Sequence, residues 1–182
     1  MIILLWQLLG RINKISFLRL SKLSMQEQTG AINVSLLRSK GGKDSPKAII
    51  CHRQKRQNCF FHSLGSYLIT AGVGDGVNDY MFPSLNHDSP ARYVNILLAP
   101  FGEKHKTTLS SSSGRHGSAS HANSHSLINL TWIVERGDWT FDAICTAFEC
   151  ITGSLDCDHK VAHVLSGWPN PNSGGWLAPF SR

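Results

Sequence analysis

The sequence predicts a mainly α-helical chain with a small β-hairpin or sheet, an α+β class of fold. Apolar and polar residues alternate over 31–37, and a short apolar run follows at 48–51. Apolar residues recur at helical intervals over 58–71 and again over 91–99. Period two is typical of a half-buried strand and a period near 3.6 of an amphipathic helix, so both kinds of element are expected.

The strand prediction depends on what separates the two apolar segments. Ile32, Val34 and Leu36 alternate with polar neighbours, and a turn-rich stretch, Ser39 to Asp44, then leads into 48–51. A Gly-Gly pair between two such runs is typical of a tight hairpin turn. We therefore predict strand, turn and strand across this region.

The helix predictions rest on caps and stops. The 58–71 pattern ends at a glycine-rich cluster that would stop a helix. Ser89 and Pro90 supply a capping residue and a helix-starting proline for 91–99. By contrast, 107–126 is rich in Ser, Gly and His, so it is expected to be a flexible loop, and the tail from Trp168 is expected to be irregular.

Composition limits the classes of protein. The chain has 182 residues, enough for one ordinary domain, and only 16% of them are charged. That excludes a coiled coil, a collagen-like repeat and a highly charged disordered protein. Eighteen Lys+Arg against 12 Asp+Glu leave a formal charge of +6, which favours polyanionic partners such as nucleic acid. The odd number of cysteines, five, favours a reducing compartment.

The N-terminal segment 1–28 is basic and amphipathic. Residues 1–9 are almost wholly apolar, and the following stretch carries four basic residues with no acid before Glu27. The apolar part is too short to span a bilayer. An acid-poor basic segment is typical of a mitochondrial presequence. The favoured interpretation is nevertheless an ordinary amphipathic helix that packs on the domain, and targeting is the alternative.

A Cys/His cluster near the C-terminus offers soft and imidazole ligands. Its members are Cys145, Cys150, Cys157, His159 and His163. The two histidines would share one helical face, but the cysteine spacings of five and seven residues are not those of a zinc knuckle. A small zinc-binding interaction module is therefore retained as an alternative, while the main expectation is no metal and no cofactor.

The order of several motifs resembles the tyrosine recombinases, and among them the Crypton-like transposon recombinases. The stretch SKGGKDSPK, with Lys40 and Lys43, is similar to the family's lysine hairpin. NCFFHSLGSYLI resembles the helix that follows it, and FPSL the connecting segment. SSSSGRHGSASHAN supplies Arg115, and RGDW and FECITG supply Trp139 and Cys150. The resemblance covers roughly residues 39–168 and implies a recombinase-like catalytic-domain fold.

The resemblance also implies roles for these residues. In the family, arginines and an imidazole or indole N–H stabilise the charge on a scissile DNA phosphate, lysine protonates the leaving oxygen, and tyrosine attacks. The implied catalytic set here is Lys40, Arg115, Trp139 and Cys150, with Lys40, Lys43 and Arg115 binding DNA. All should line one basic concave surface.

Two implied positions depart from the family pattern, and one is unassigned. Ser112 stands where the family has histidine, and Cys150 where it has the nucleophilic tyrosine. Tyr67, Tyr80 and Tyr93 all precede Trp139. The family's first arginine, upstream of the hairpin, is not assigned. We therefore expect a truncated, catalytically inactive remnant that retains DNA binding.

These expectations give a domain map and a set of partners. The map has the basic N-terminal segment at 1–28, the recombinase-like remnant at 29–168 and an irregular tail at 169–182. DNA is the expected partner, bound weakly and with strong salt dependence. Self-association is left open, and neither a small-molecule substrate nor a membrane partner is expected. A nuclear or cytoplasmic location is expected, with mitochondrial import as the alternative.

Overall fold

The chain folds as α-helices around one small antiparallel sheet. A computed structural model describes residues 1–36, 45–71, 79–83, 89–139 and 155–173. The strands are β1 (Leu23–Gln26), β2 (Ala31–Leu36) and β3 (Ser45–Ile49). The helices of the described residues are α1 (Ile2–Gln7), α2 (Ile12–Ser16), α3 (Phe60–Ala71), α4 (Pro90–Lys104), α5 (Ser113–Asn123), α6 (Leu130–Arg136) and α7 (Leu155–Leu165). The predicted α+β class is confirmed.

The sheet has the order β1-β2-β3, and both pairings are antiparallel. In the pairing of β2 with β3, Leu36 lies opposite Ser45 and Ile32 opposite Ile49. Strand β3 therefore begins three residues before the apolar run 48–51 that predicted it, and it ends before Cys51. Hydrogen bonding across the pair, rather than hydropathy, sets this boundary. The lysines of the predicted hairpin, Lys40 and Lys43, lie outside the described residues.

The N-terminal segment is part of the main hydrophobic core. Leu4, Leu5 and Leu8 are buried in the same cluster as Val34 and Ile49 of the sheet. A domain boundary at residue 28 would fall in the turn between β1 and β2, where Gly30 takes a left-handed conformation (φ 64°). Helix α1 therefore packs on the domain as an amphipathic element.

Helix α5 replaces the loop expected over 107–126, so that expectation was wrong. Its buried residues Arg115, Ser118 and Ala122 are three and four positions apart, the spacing of one helical face. The helix packs against α1 along its glycines: a Cβ on Gly114 would lie at ordinary van der Waals distance, 3.4 Å, from the Leu5 Cβ. The buried face holds one charged residue and small residues instead of large apolar ones, which is why hydropathy did not reveal it.

Helices α3 and α4 match their predicted positions, although α4 continues to Lys104, past Pro100. Several apolar side chains of α4 are exposed: Tyr93, Ile96, Leu97 and Phe101. None of the helices in the described ranges is long and apolar enough to cross a membrane. Self-association remains a prediction.

A fully buried arginine joins four elements. Arg136, at the end of α6, is 1% exposed. Its guanidinium donates to the carbonyl oxygen of Gln7 at 2.9 and 3.0 Å and to that of Ala48 at 2.6 Å. It also forms an ion pair with Asp158 of α7. The other carboxylate oxygen of Asp158 accepts from the Ala48 N–H at 2.6 Å, so the buried charge is neutralised and hydrogen-bonded.

Removing this guanidinium should unfold the chain more readily. We predict that Arg136→Met lowers the free energy of unfolding by about 3–5 kcal/mol, because it leaves the Asp158 carboxylate and two buried carbonyls without their partner. Urea denaturation followed by circular dichroism measures this. The matched control is Arg92→Met at an exposed arginine of α4. Equal stabilities of the two variants would contradict the role given to Arg136.

Candidate functional site

The start of α2 and the segment after α6 meet at one small pocket. Its lining residues are Gly10, Arg11, Lys14, Leu36, Lys47, Gly137 and Asp138. Arg11 is the N-terminal cap residue of α2, and Gly137 and Asp138 directly follow α6. Two chain segments far apart in the sequence are thereby brought together, with β3 contributing Lys47 from the sheet.

The backbone is strained on both sides of the pocket. Leu9 (φ 47°) and Asp138 (φ 54°) both adopt the left-handed conformation that side chains other than glycine rarely take. Leu9 lies directly before Gly10 and Arg11, and Asp138 lies between Gly137 and Trp139. Strain of this kind is concentrated at functional sites, where the surrounding structure holds it in place.

Arg115 and Trp139 contact each other beside this pocket. Arg115 is buried on α5 and donates from Nη2 to the Gly137 carbonyl oxygen at 2.6 Å. Its guanidinium carbon lies 4.6 Å from the centroid of the Trp139 ring, a cation–π distance. The Arg115 Nε is buried and has no hydrogen-bond partner among the described residues. Two of the residues singled out from the sequence are therefore adjacent.

The electrostatics of the pocket are positive. Lys14 forms an ion pair with Asp138, the one acid among the described lining residues. Arg11 is exposed, and it lies close enough to Arg115 for its charge to act on the pKa of Arg115. Burial first, and then the charge of Arg11, lower the pKa of Arg115, while Asp138 opposes them. One carboxylate facing this many cations leaves a site suited to an anion.

Lys47 has a structural position at the base of the pocket. Its side chain is buried, and its amine donates to the carbonyl oxygen of Arg136. Burial, and secondarily the nearby charge of Arg136, lower the pKa of Lys47 to about 7. Lys47 therefore ties β3 to the end of α6 and contributes less positive charge to the pocket than Arg11 does.

Three of the remaining sequence candidates lie outside the described residues. Lys40 and Lys43 fall in the range 37–44, and Cys150 falls in the range 140–154. Leu36, the last described residue before 37–44, does line the pocket. Ser112 is exposed at the start of α5, and its hydroxyl lies 2.8 Å from that of Ser110. Ser112 is not among the described residues that line the pocket.

Arg11 is the residue that sequence reasoning missed. In the sequence it is one of several basic residues of the segment 1–28, although it directly follows a glycine at the end of an apolar helix. A Cβ on Gly10 would lie 2.6 Å from the Cδ1 of the buried Ile15, so a larger residue here would displace that side chain. A Gly-Arg pair between an apolar helix and the first strand was the available signal.

The Cys/His cluster expected near the C-terminus is not assembled within the described part of the chain. Cys145 and Cys150 lie outside it. His163 Nδ1 is 2.9 Å from the His159 carbonyl oxygen, and its ring packs edge-on against Trp168. In the described ranges, the side chains grouped closely enough to hold a metal are instead Cys51, Cys59 and His62.

Comparisons with known proteins return no relative. No family model matches the chain, and neither a curated protein nor a solved structure matches it. The residues and the geometry of the site are therefore the basis on which a function can be proposed.

Proposed function

We propose that the chain is a DNA-binding, catalytically inactive remnant of a transposon tyrosine recombinase. The observation that supports this proposal is the contact of Arg115 with Trp139 beside a positive pocket that Arg11 lines. The resemblance requires an arginine and an indole to reach a single phosphate, and these two side chains are in contact. The proposed location is nuclear or cytoplasmic, with mitochondrial import as the alternative.

The chemistry of the pocket suits a phosphodiester. Guanidinium groups bind phosphate oxygens through charge-assisted hydrogen bonds and keep their charge at any physiological pH. Arg115 is held by the Gly137 carbonyl and the Trp139 ring, so little conformational entropy is lost when it binds an anion. The exposed Arg11 lines the pocket and provides donors for the anion, while the buried Arg115 adds positive charge from beside it.

Arg11 fills the position that the resemblance left unassigned. The family's first arginine stands upstream of the lysine hairpin in a helical region. Arg11 caps α2, which precedes all three strands, and it lines the pocket beside which Arg115 lies. We assign Arg11 to that position, so the proposed phosphate site has two arginines and one tryptophan.

The reactive groups of the family are missing from this arrangement. The chain has three tyrosines, all within the described residues, and none lines the pocket. Tyr67 packs against Phe82, Tyr80 against Arg19, and Tyr93 is exposed on α4. Ser112 has no imidazole to donate a hydrogen bond to the transition state, and removing one such donor costs about 3 kcal/mol.

DNA binding should depend on Arg11. We predict that the wild-type chain binds a short fluorescent duplex weakly, with an affinity that falls steeply between about 50 and 200 mM salt. Arg11→Gln should weaken binding about fivefold, the equivalent of ~1 kcal/mol for one exposed charge pair, and reduce the salt slope by about 0.9.

The control for this experiment is Arg92→Gln, which removes the same charge from an exposed site on α4. Fluorescence anisotropy at several salt concentrations measures both variants. Absence of binding at low salt would refute the proposal, and equal losses in the two variants would refute the assignment of the pocket.

Strand cleavage should be absent. We predict that the wild-type chain forms no covalent adduct with a nicked suicide substrate, because a cysteine at 150 cannot place its sulfur where a phenol oxygen would lie. A misplacement of about 1 Å already costs roughly 100-fold in rate. Denaturing gel electrophoresis detects the adduct, and the comparison variants are Cys150→Tyr and Cys150→Tyr with Ser112→His. An adduct from the wild-type chain would overturn the inactive assignment.

A further inference from the structure

A second cluster of chemically reactive side chains lies away from the positive pocket. Cys51 follows the end of β3, and Cys59 and His62 lie at the start of α3. The two sulfurs are 3.4 Å apart, and the ligand atoms of all three residues lie within 4.8 Å of one another. The cluster thus connects the sheet to a helix by three side chains that all ligate soft metals.

The distances suit one tetrahedral ion. Zinc binds sulfur at about 2.3 Å and nitrogen at about 2.0–2.1 Å, so two sulfurs on one tetrahedral zinc are about 3.8 Å apart. The Cys51 and Cys59 sulfurs need to separate by only a few tenths of an ångström to reach that spacing. The His62 nitrogen lies within 4.8 Å of both sulfurs and would move closer to them on binding.

Local structure explains why these three residues converge. Cys59 directly precedes α3, and His62 follows it by three positions, which places both on one face of the first helical turn. The eight-residue step from Cys51 to Cys59 contains a 3₁₀ turn at Arg56–Asn58, which returns the chain to the end of β3. The cluster therefore closes a short loop at its base.

Burial in the cluster is graded from inside to outside. Cys59 is fully buried, Cys51 is half-buried and His62 is exposed. A bound ion would lie at the surface of the domain, with protein on one side and solvent on the other. Three protein ligands with one open side is the arrangement in which water takes the fourth position of a zinc ion.

The two thiols differ in how readily they ionise. Burial alone would raise the pKa of Cys59, but hydrogen bonds from His62 and from the His52 backbone lower it to about 7. Burial and the adjacent Cys59 raise the pKa of Cys51 to about 11. Both sulfurs must be thiolates to ligate a metal, so a divalent cation would bind here with release of the Cys51 proton.

We propose that Cys51, Cys59 and His62 bind one Zn²⁺ ion, with a water molecule in the fourth position. The ion fastens the end of β3 to the start of α3. It also fixes the base of the loop 52–58, whose exposed Arg53, Lys55 and Arg56 form a basic surface. This site is independent of the proposed DNA function, because its residues do not line the positive pocket.

Elemental analysis of the full-length chain tests the proposal. The protein is loaded with Zn²⁺ in the presence of a phosphine reductant, dialysed and measured by mass spectrometry. We expect one zinc per chain, and substitution by Co²⁺ should give a thiolate-to-cobalt charge-transfer band. His62→Ala should weaken zinc binding at least ~100-fold, since losing even an outer partner of a ligand costs about 10–100-fold.

Matched variants distinguish this site from the cysteine and histidines of α7. His62 is exposed, so His62→Ala should fold normally even if Cys59→Ser does not. His116→Ala, at an exposed histidine of α5, should keep full zinc affinity. Cys157→Ser should also keep it, and loss of zinc in that variant would overturn the proposal by moving the metal to α7. Absence of zinc after loading under reductant would overturn the proposal as well. In that case a Cys51–Cys59 disulfide, found before reductant is added, would show that the two sulfurs pair with each other instead.

Discussion

The buried guanidinium of Arg136 is the interaction on which the rest of the structure depends. It links the end of α1, the strand β3 and the helix α7 through hydrogen bonds to Gln7, Ala48 and Asp158. A guanidinium that is only 1% exposed is tolerated because Asp158 neutralises its charge and backbone carbonyl oxygens accept hydrogen bonds from its other N–H groups. The direction of the chain leaving α6 is set at this point.

The candidate site follows from that constraint. Gly137, Asp138 and Trp139 are the three residues after Arg136, and Arg11 lies four residues beyond Gln7, whose carbonyl Arg136 holds. One buried side chain therefore brings both walls of the positive pocket together. Lys47 strengthens the junction by donating to the Arg136 carbonyl. A protein that had lost catalysis would still keep this pocket, because its geometry is built by residues needed for folding.

Sequence patterns predicted those elements whose signal is local. The alternation in β2 and the helical spacing in α3 reflect side chains that meet a core directly, and both were found. The contact of Arg115 with Trp139 joins positions 24 residues apart, which no local pattern relates. The resemblance placed both on one surface with Lys40, Lys43 and Cys150, which lie outside the described residues, so that expectation stays a prediction. Hydropathy could not reveal α5, because its buried residues are Arg115, Ser118 and Ala122 and not large apolar side chains.

Long-range polar contacts were also beyond local patterns. Nothing near Arg136 in the sequence indicates that its partners are Gln7 and Asp158, and nothing near Cys51 indicates that a helix returns Cys59 and His62 to it. The C-terminal cysteines and histidines form a candidate cluster only because they are close in sequence. In the structure, Cys51, Cys59 and His62 are brought together by the end of a strand and the start of a helix. Predicting that group from the sequence would require knowing how the sheet packs against the helix.

Binding of duplex DNA at the pocket beside Arg115 and Trp139 can be tested directly. The measurement is the nuclear magnetic resonance signal of the tryptophan indole N–H groups during titration with duplex DNA, assigned with Trp139→Phe. The Trp139 signal should shift, because its ring stacks on the Arg115 guanidinium beside the proposed phosphate site. The Trp6 signal should stay, since its indole donates to the Leu165 carbonyl inside the fold. Saturable binding that leaves the Trp139 signal unmoved would contradict binding at this pocket.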